Sequence, residues 1–261
     1  MINLKKKNVL ITGAAQGIGA SFANLLAEEG CHLCLIDIDE KKLKETAETV
    51  REKGADPFLM VHDLSILEER ELIFSLMSER GFSIDILINN VAIGYWCLFD
   101  ESPWEEIENI IDVNIKCLTH MMKLALPGML SRNEGYIVNL SSTAAFVGVP
   151  NAACYSATKA YVDRLSESIG MELRDTGVNI LCVSPGPTVT NFSIASSMAD
   201  SEYDIKVRKM IPEEVAEEAI VSMKAGKSNV VTGLRNKLNM LCAKLMPREM
   251  LKKIALKRFK N

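Results

Sequence analysis

No stretch of this chain is long and apolar enough to cross a bilayer, because charges or glycine interrupt the apolar runs near both ends well short of the roughly eighteen consecutive residues that a span takes. A dominant charge is missing too. Lys and Arg number 30 against 34 Asp and Glu, a formal net charge of -4, so no whole-surface basic field exists and no nucleic-acid partner is expected. Nor does the start resemble an export signal, since Lys5, Lys6 and Lys7 run into a strand rather than an apolar stretch. Seven cysteines, odd in number and scattered, make no disulfide framework and point to a reducing, cytoplasmic setting. Proline (8) and glycine (15) nowhere gather with serine into a linker, and no repeat or low-complexity tract is found. One domain over residues 1–261 is therefore expected. Apolar residues at 48% and charged residues at 25% exclude a disordered, collagenous or coiled-coil chain.

What is present is alternation. Short β-rich runs, Asn8 to Thr12, His32 to Asp37, Pro57 to His62, Ile84 to Asn89, Tyr136 to Leu140, Asn179 to Ser184 and Asn229 to Thr232, are separated by amphipathic stretches of helical period. The helices read as Gly17 to Glu29, Glu40 to Lys53, Leu67 to Arg80, Pro103 to Arg132 with a bend or break, Ala152 to Arg174 and Pro212 to Lys224. The fold class expected is α/β: a doubly wound, Rossmann-like, seven-stranded parallel sheet flanked by helices. Ligands of such sheets bind beyond the carboxyl ends of the strands, so the residues after each strand are where chemistry is sought. Two segments break the rhythm. Residues 187–211 make an excursion of the length kept for a lid or substrate loop, and residues 237–261 read as a basic, amphipathic helical tail.

The first strand is followed by Thr12-Gly13-Ala14-Ala15-Gln16-Gly17-Ile18-Gly19, three glycines in a strand-to-helix turn, where absent Cβ atoms let backbone approach a pyrophosphate at the helix N-terminus. The spacing is G-x-x-x-G-x-G, not the G-x-G-x-x-G of the usual dinucleotide fingerprint. Asp37 ends the second strand, eighteen residues beyond Gly19, where a carboxylate would accept from ribose hydroxyls and repel a 2′-phosphate. No cation at Ala15, Gln16 or Ile38 offsets that repulsion, so NAD is expected over NADP. Asp63, ending the third strand, is a weaker candidate for the adenine edge.

With Asn89-Asn90 after the fourth strand, Asn114 in a helix, Ser142 after the fifth strand, Tyr155-x-x-x-Lys159, and Pro185-Gly186 with Thr190 after the sixth, the chain resembles the short-chain dehydrogenase/reductase family over nearly its whole length. The resemblance implies a catalytic set of Asn114, Ser142, Tyr155 and Lys159, with Ser142 thirteen residues before Tyr155, the family's usual spacing. It implies a cofactor held on one side by Gly13, Gln16, Gly17, Ile18 and Gly19, with Asp37, Asp63, Leu64 and Asn90 beside them. On the other side stand Tyr155, Lys159, Pro185, Gly186, Thr188 and Thr190. By the same analogy Tyr155 moves the proton, Ser142 holds the reacting oxygen, Lys159 also holds the nicotinamide ribose, and Asn114 supports a water linking Lys159 to solvent. Where the family reads Asn-Asn-Ala-Gly, this chain has Asn89-Asn90-Val91-Ala92, with Gly94 two positions later.

Residue chemistry agrees. Tyr155 and Lys159 lie four apart on one helix face, so an ammonium near the phenol is expected to favour its ionised form. A phenol of ordinary pKa about 10 must fall by roughly 3 units, a differential of about 4 kcal/mol, to exchange protons near neutrality, and positive charge from Lys159 and oxidised nicotinamide is expected to supply it.

Other signals are read as structural. Cys31-His32-Leu33-Cys34 has a metal-like spacing but runs into a buried strand with no second ligand pair, and His62 and His120 are isolated, so no metal is expected. Apolar side chains in the overhanging loops, Tyr95, Trp96, Leu98, Phe99, Phe146, Val147, Phe192, Ile194 and Met198, suit a hydrophobic secondary alcohol or ketone such as a hydroxysteroid. In the tail Leu238, Leu241 and Leu245 repeat before Pro247. That helix is expected to dock on protein in preference to an anionic membrane. The 103–132 and 152–174 helices are expected to pair across a two-fold axis in at least a homodimer. Two rivals share the motifs: a 3-oxoacyl thioester reductase, disfavoured by Asp37, and an NAD-sensing regulatory protein without turnover, disfavoured by the intact Ser142, Tyr155 and Lys159.

Overall fold

The structure is a computed structural model and describes residues 2–199 and 201–259. Among the described residues, seven strands form one sheet: β1 Asn8–Thr12, β2 His32–Asp37, β3 Phe58–Val61, β4 Ile86–Asn89, β5 Gly135–Leu140, β6 Val178–Ser184 and β7 Asn229–Val231. They pair in parallel in the order β3-β2-β1-β4-β5-β6-β7. Winding starts at β1, runs outward to β3, then returns past β1 to β4, so β1 and β4 flank the switch point where such sheets open a ligand crevice.

Strands buried on both faces explain the apolar runs. On one face Val9, Ile11, Leu33 and Leu35 pack against Phe22 and Leu26 of α1 (Gly17–Glu28) and Ala216 and Ala219 of α9 (Pro212–Lys224). On the other, Leu10, Cys34 and Ile36 share a core with Ile73 of α3 (Leu67–Glu79), Met121 of α5 (Leu118–Arg132) and Val162 of α6 (Ala153–Glu172). Each such Leu or Ile stabilises the fold by about 1.5–3 kcal/mol. Cys31 lies in the first core and Cys34 in the second, so the pair cannot share a metal. Asp39 caps α2 (Glu40–Glu52), its side chain accepting from Lys42 N at 3.1 Å.

Differences from the expected elements are local. β3 lacks Pro57 and His62, and β4 starts at Ile86, not Ile84, while the Asp85 carboxylate accepts from Asn8 N at 2.9 Å. The break expected within 103–132 is a π-turn, Asp112–Cys117, between α4 (Trp104–Ile111) and α5. The excursion contains α7 (Phe192–Ala195) and α8 (Glu202–Lys206), and a bridge between Thr188 and Met210 ties its ends. The tail is two helices rather than one. α10 (Leu234–Leu245) starts earlier than expected, and Pro247 precedes α11 (Arg248–Arg258). Residues 260 and 261 of the tail, and residue 200 of the excursion, lie outside the described residues. No described helix is long and apolar enough to cross a membrane.

Candidate active site

The end of β5 and the first turns of α6 bring the catalytic candidates together. Ser142 is extended and caps the 3-10 turn Thr143–Phe146, its Oγ accepting from Ala144 N at 3.1 Å. Tyr155 makes a side-chain hydrogen bond with Ser142. Lys159, one turn further along α6, is buried; its Nζ donates to Leu140 O at 2.8 Å and stands 5.7 Å from the centre of the Tyr155 ring. Ser141, the neighbouring serine, donates instead to Lys159 O at 2.9 Å, which leaves Ser142 as the hydroxyl facing the phenol.

Without the charge of oxidised nicotinamide the phenol is not acidified. Burial pushes the Tyr155 phenol up to about 12, against the opposing hydrogen bond with Ser142, and the nearby Tyr203 adds to the rise. The ammonium of Lys159, held by the Leu140 carbonyl, does not reverse this, and burial pushes it down to about 8.

Asn114 stands inside the π-turn, a distortion that recurs at functional sites. Its Oδ1 accepts from Ile93 N at 2.9 Å, and its Nδ2 donates to Ile93 O at 2.8 Å and Thr158 Oγ1 at 3.0 Å. The side chain is thus spent on fixing the 91–94 loop to α6, leaving backbone as its means of reaching a water.

At the switch point, Gly13 (φ 65°) and Gly17 (φ 58°) take left-handed backbone that disfavours any side chain. A Cβ on Gly19 would fall 2.0 Å from Gly13 O. Asn90 ties the turn down from β4, with Nδ2 donating to Thr12 O at 3.0 Å and Gly13 O at 2.9 Å. Asp37 does the same from β2: one carboxylate oxygen accepts from Ala15 N at 3.0 Å and the other from Asp39 N at 3.0 Å. Gln16 begins α1 in extended backbone without a side-chain cap, and the first turn, which includes half-buried Ile18, carries no acid. The helix therefore presents unpaired N–H groups to an anion. Opposite, Thr190 Cγ2 would lie 3.0 Å from a Cβ on Gly17, and Asn191 Nδ2 donates to Gln16 Oε1 at 2.5 Å.

The remaining candidates border the same crevice. Pro185 O accepts from Thr143 N at 2.8 Å, and Gly186 O accepts from Thr188 Oγ1 at 2.9 Å. Asp63 Oδ1 accepts from Ser65 N at 2.9 Å, while Leu64 is buried and its carbonyl accepts from Arg70 Nη1 at 2.6 Å. An uncapped glycine-rich helix start, with carboxylates at the end of β2 and just beyond β3, fits a dinucleotide.

A family model described as short chain dehydrogenase matches residues 7–200. The chain belongs to that family. As a short-chain dehydrogenase it is an NAD(P)-dependent oxidoreductase. It is 33% identical over 224 residues to an uncharacterized oxidoreductase of Staphylococcus saprophyticus, covering 85% of this chain and 93% of the relative. It is 36% identical over 193 residues to a 3-oxoacyl-acyl-carrier-protein reductase of Staphylococcus aureus, covering 73% and 78%. Among solved structures, a short-chain dehydrogenase from Sphingobium yanoikuyae in complex with NADPH matches at TM-score 0.82 and 27% identity over 92% of this chain and 93% of that one. A Burkholderia phymatum short-chain dehydrogenase/reductase in complex with NAD shares the fold at TM-score 0.86 and 24% identity, covering 99% and 97%.

In this dehydrogenase the apolar loops divide. Leu98, Phe99 and Ile194 are exposed, whereas Phe192 lies against Tyr155 with ring centroids 5.1 Å apart. Gly94 permits that contact: a Cβ there would sit 2.7 Å from Phe192 Cζ and 3.4 Å from Tyr155 Cδ2. The glycine absent at Ala92 thus has a counterpart two positions on.

Beyond Tyr155, Trp96 stacks on Tyr203 at 6.3 Å, and Phe259 from the tail closes on Tyr203 at 4.6 Å and Trp96 at 6.2 Å. Val149 and Ala255 complete the cluster, with Val147 packed against it. The packing of Tyr203 against Phe259 was not foreseen from the sequence; the available signal was an aromatic ending an otherwise lysine-rich tail. His62 pairs with Glu69, and His120 Nδ1 accepts from Arg70 Nε at 3.2 Å. Among the described residues no His, Cys, Asp and Glu cluster could hold a metal.

Proposed function

We propose that this dehydrogenase prefers NAD and interconverts a secondary alcohol and a ketone on a bulky hydrophobic substrate of hydroxysteroid-like shape. The observation that carries the reading is the Tyr155 phenol, hydrogen-bonded to Ser142 and walled on one side by the ring of Phe192.

The glycine turn with Gln16 and Ile18 would hold the pyrophosphate, Asp37 the adenosine ribose, Asp63 and Leu64 the adenine edge, and Asn90 the turn itself. Lys159 with Pro185, Gly186, Thr188 and Thr190 would hold the nicotinamide half. Bound there, the dinucleotide supplies the acceptor or donor of the hydride. In reduction the Tyr155 hydroxyl gives its proton to the carbonyl oxygen; in oxidation the ionised phenol takes the proton of the alcohol. Ser142 Oγ donates to that same oxygen and fixes its place. Lys159 returns the proton through the π-turn backbone at Asn114 and water. With its phenol near 12, Tyr155 rests protonated at neutral pH, the form that reduction needs.

Asp37 supports NAD, because its carboxylate would repel a 2′-phosphate and none of Ala15, Gln16 and Ile38 is a cation that would offset this. The aromatic cluster of Trp96, Tyr203 and Phe259 supports an apolar substrate, since a sugar would leave its hydroxyls unpaired there. A second reading, reduction of a 3-oxoacyl thioester, is favoured by the printed name of the 36% identical relative and opposed by Asp37. Exposed Tyr161 and Met171 on α6 support a two-fold dimer through α5 and α6.

The test is a panel of steroids, acyl thioesters and simple secondary alcohols, each with NADH or NADPH, read at the nicotinamide absorbance band. Turnover of a bulky ketone that falls on the order of 10²–10⁴-fold in Tyr155→Phe supports the proposal. Turnover confined to thioesters with NADPH, or undiminished in that variant, overturns it.

A further inference from the structure

We propose that α10 and α11 seat this protein on an anionic bilayer surface. The tail docks on the domain by its inner side, through buried Met240, Ala255 and Phe259, an ion pair of Lys237 with Glu218, and a hydrogen bond from Asn236 Nδ2 to Thr232 O at 2.9 Å. Its outer side is not polar. Leu234, Leu238, Leu241 and Leu245 are four, three and four residues apart, so they share one stripe of α10, and they are between 55% and 80% exposed. Met250 and Ile254 extend the apolar exposure onto α11.

Charge identifies the occupant. Residues 234–259 carry eight Lys and Arg against one acid, Glu249, while the preceding residues hold 33 of the chain's 34 carboxylates and only 21 of its 30 cations. An exposed apolar stripe within a basic segment is the pattern of a helix lying in a lipid interface, where each cation near an anionic surface gains about 1 kcal/mol. Two such tails paired stripe to stripe would instead set one net-basic segment against another, even with Lys237 paired to Glu218 and Lys252 to Glu249, at about 1 kcal/mol for each like-charge pair near 4 Å in water.

The position adds a consequence. The inner side of α10 packs on the turn Thr143–Phe146 that Ser142 caps, so the seated helix is itself a neighbour of the candidate active site. On the substrate reading above, a lipophilic substrate would enter from the bilayer side; the docking itself does not depend on that reading.

The experiment is flotation of the full-length protein with vesicles of phosphatidylcholine alone or of phosphatidylcholine with phosphatidylglycerol, at low and high salt. The expected result is binding to the anionic vesicles on the order of tenfold above the neutral ones, weakened by salt. A triple variant, Leu238→Ser, Leu241→Ser and Leu245→Ser, should lose it at an unchanged melting temperature. Lys252→Glu with Lys253→Glu should weaken it without touching the stripe. Equal binding to both vesicles, or none, overturns the proposal. So does a triple variant that keeps vesicle binding, or one whose main effect in sedimentation is to split an oligomer, which would assign the stripe to a second copy.

Discussion

Lys159 Nζ donates a hydrogen bond to the carbonyl of Leu140 at 2.8 Å while standing 5.7 Å from the centre of the Tyr155 ring. The ammonium thus lies beside the phenol yet is oriented by the last residue of β5, so strand and helix together fix where its charge acts. Both groups are shifted by burial in the direction of their neutral forms, the phenol to about 12 and the ammonium to about 8.

Opposite pH dependences for the two directions follow. Reduction needs the phenol protonated and is helped by a charged Lys159, so its rate should be flat through neutrality and fall as pH rises through about 8. Oxidation needs the ionised phenol and should climb with pH over the same range. Initial rates in both directions between pH 6 and 10 check this; an oxidation rate that falls on the alkaline side of neutrality contradicts it.

Asp37→Ala should weaken NAD binding on the order of tenfold and narrow the preference over NADP, because a charged acceptor is removed from the ribose side. It should also loosen the glycine turn, since Ala15 N loses its partner. Titration with each dinucleotide and hydrogen exchange at Ala15 read the two effects separately. Wild-type protein that binds NADP more tightly refutes the cofactor reading.

Gly19→Ala should abolish dinucleotide binding and destabilise the fold by about 1–3 kcal/mol, because the new methyl would meet Gly13 O at 2.0 Å. Urea unfolding without ligand isolates the packing effect. A variant as stable as wild type would show that the turn can shift to accommodate a side chain.

Phe259→Ala should raise KM for a bulky ketone about tenfold, as the lost ring contacts with Tyr203 and Trp96 imply, with kcat largely kept because Tyr155 and Ser142 are untouched. A small secondary alcohol serves as control and should show little change. Equal losses on both substrates would make the tail a brace for the catalytic groups instead of a wall of the substrate site.

Most of the architecture was legible because parallel strands buried on both faces leave an unambiguous apolar run, as in Leu33 to Ile36. The glycine turn and the Tyr155-x-x-x-Lys159 spacing were legible for a related reason: backbone approach and helical pitch dictate residue type at fixed intervals. Contacts between distant segments were not. Nothing local to Phe192 says that its ring reaches Tyr155, and nothing local to Phe259 says that it meets Trp96 from the other end of the chain. The electrostatics of the protein alone was not legible for the same reason. Spacing places an ammonium beside a phenol, but the desolvation of both depends on every loop that closes over them.

On the proposed NAD reading, the bond from Ala15 to Asp37 ties coenzyme choice to loop order. Any attempt to convert this enzyme to the phosphorylated coenzyme by replacing that carboxylate also removes the peg on which the turn hangs. Redesign at this position therefore calls for a paired change, one that admits the extra phosphate and another that gives the freed amide a new acceptor.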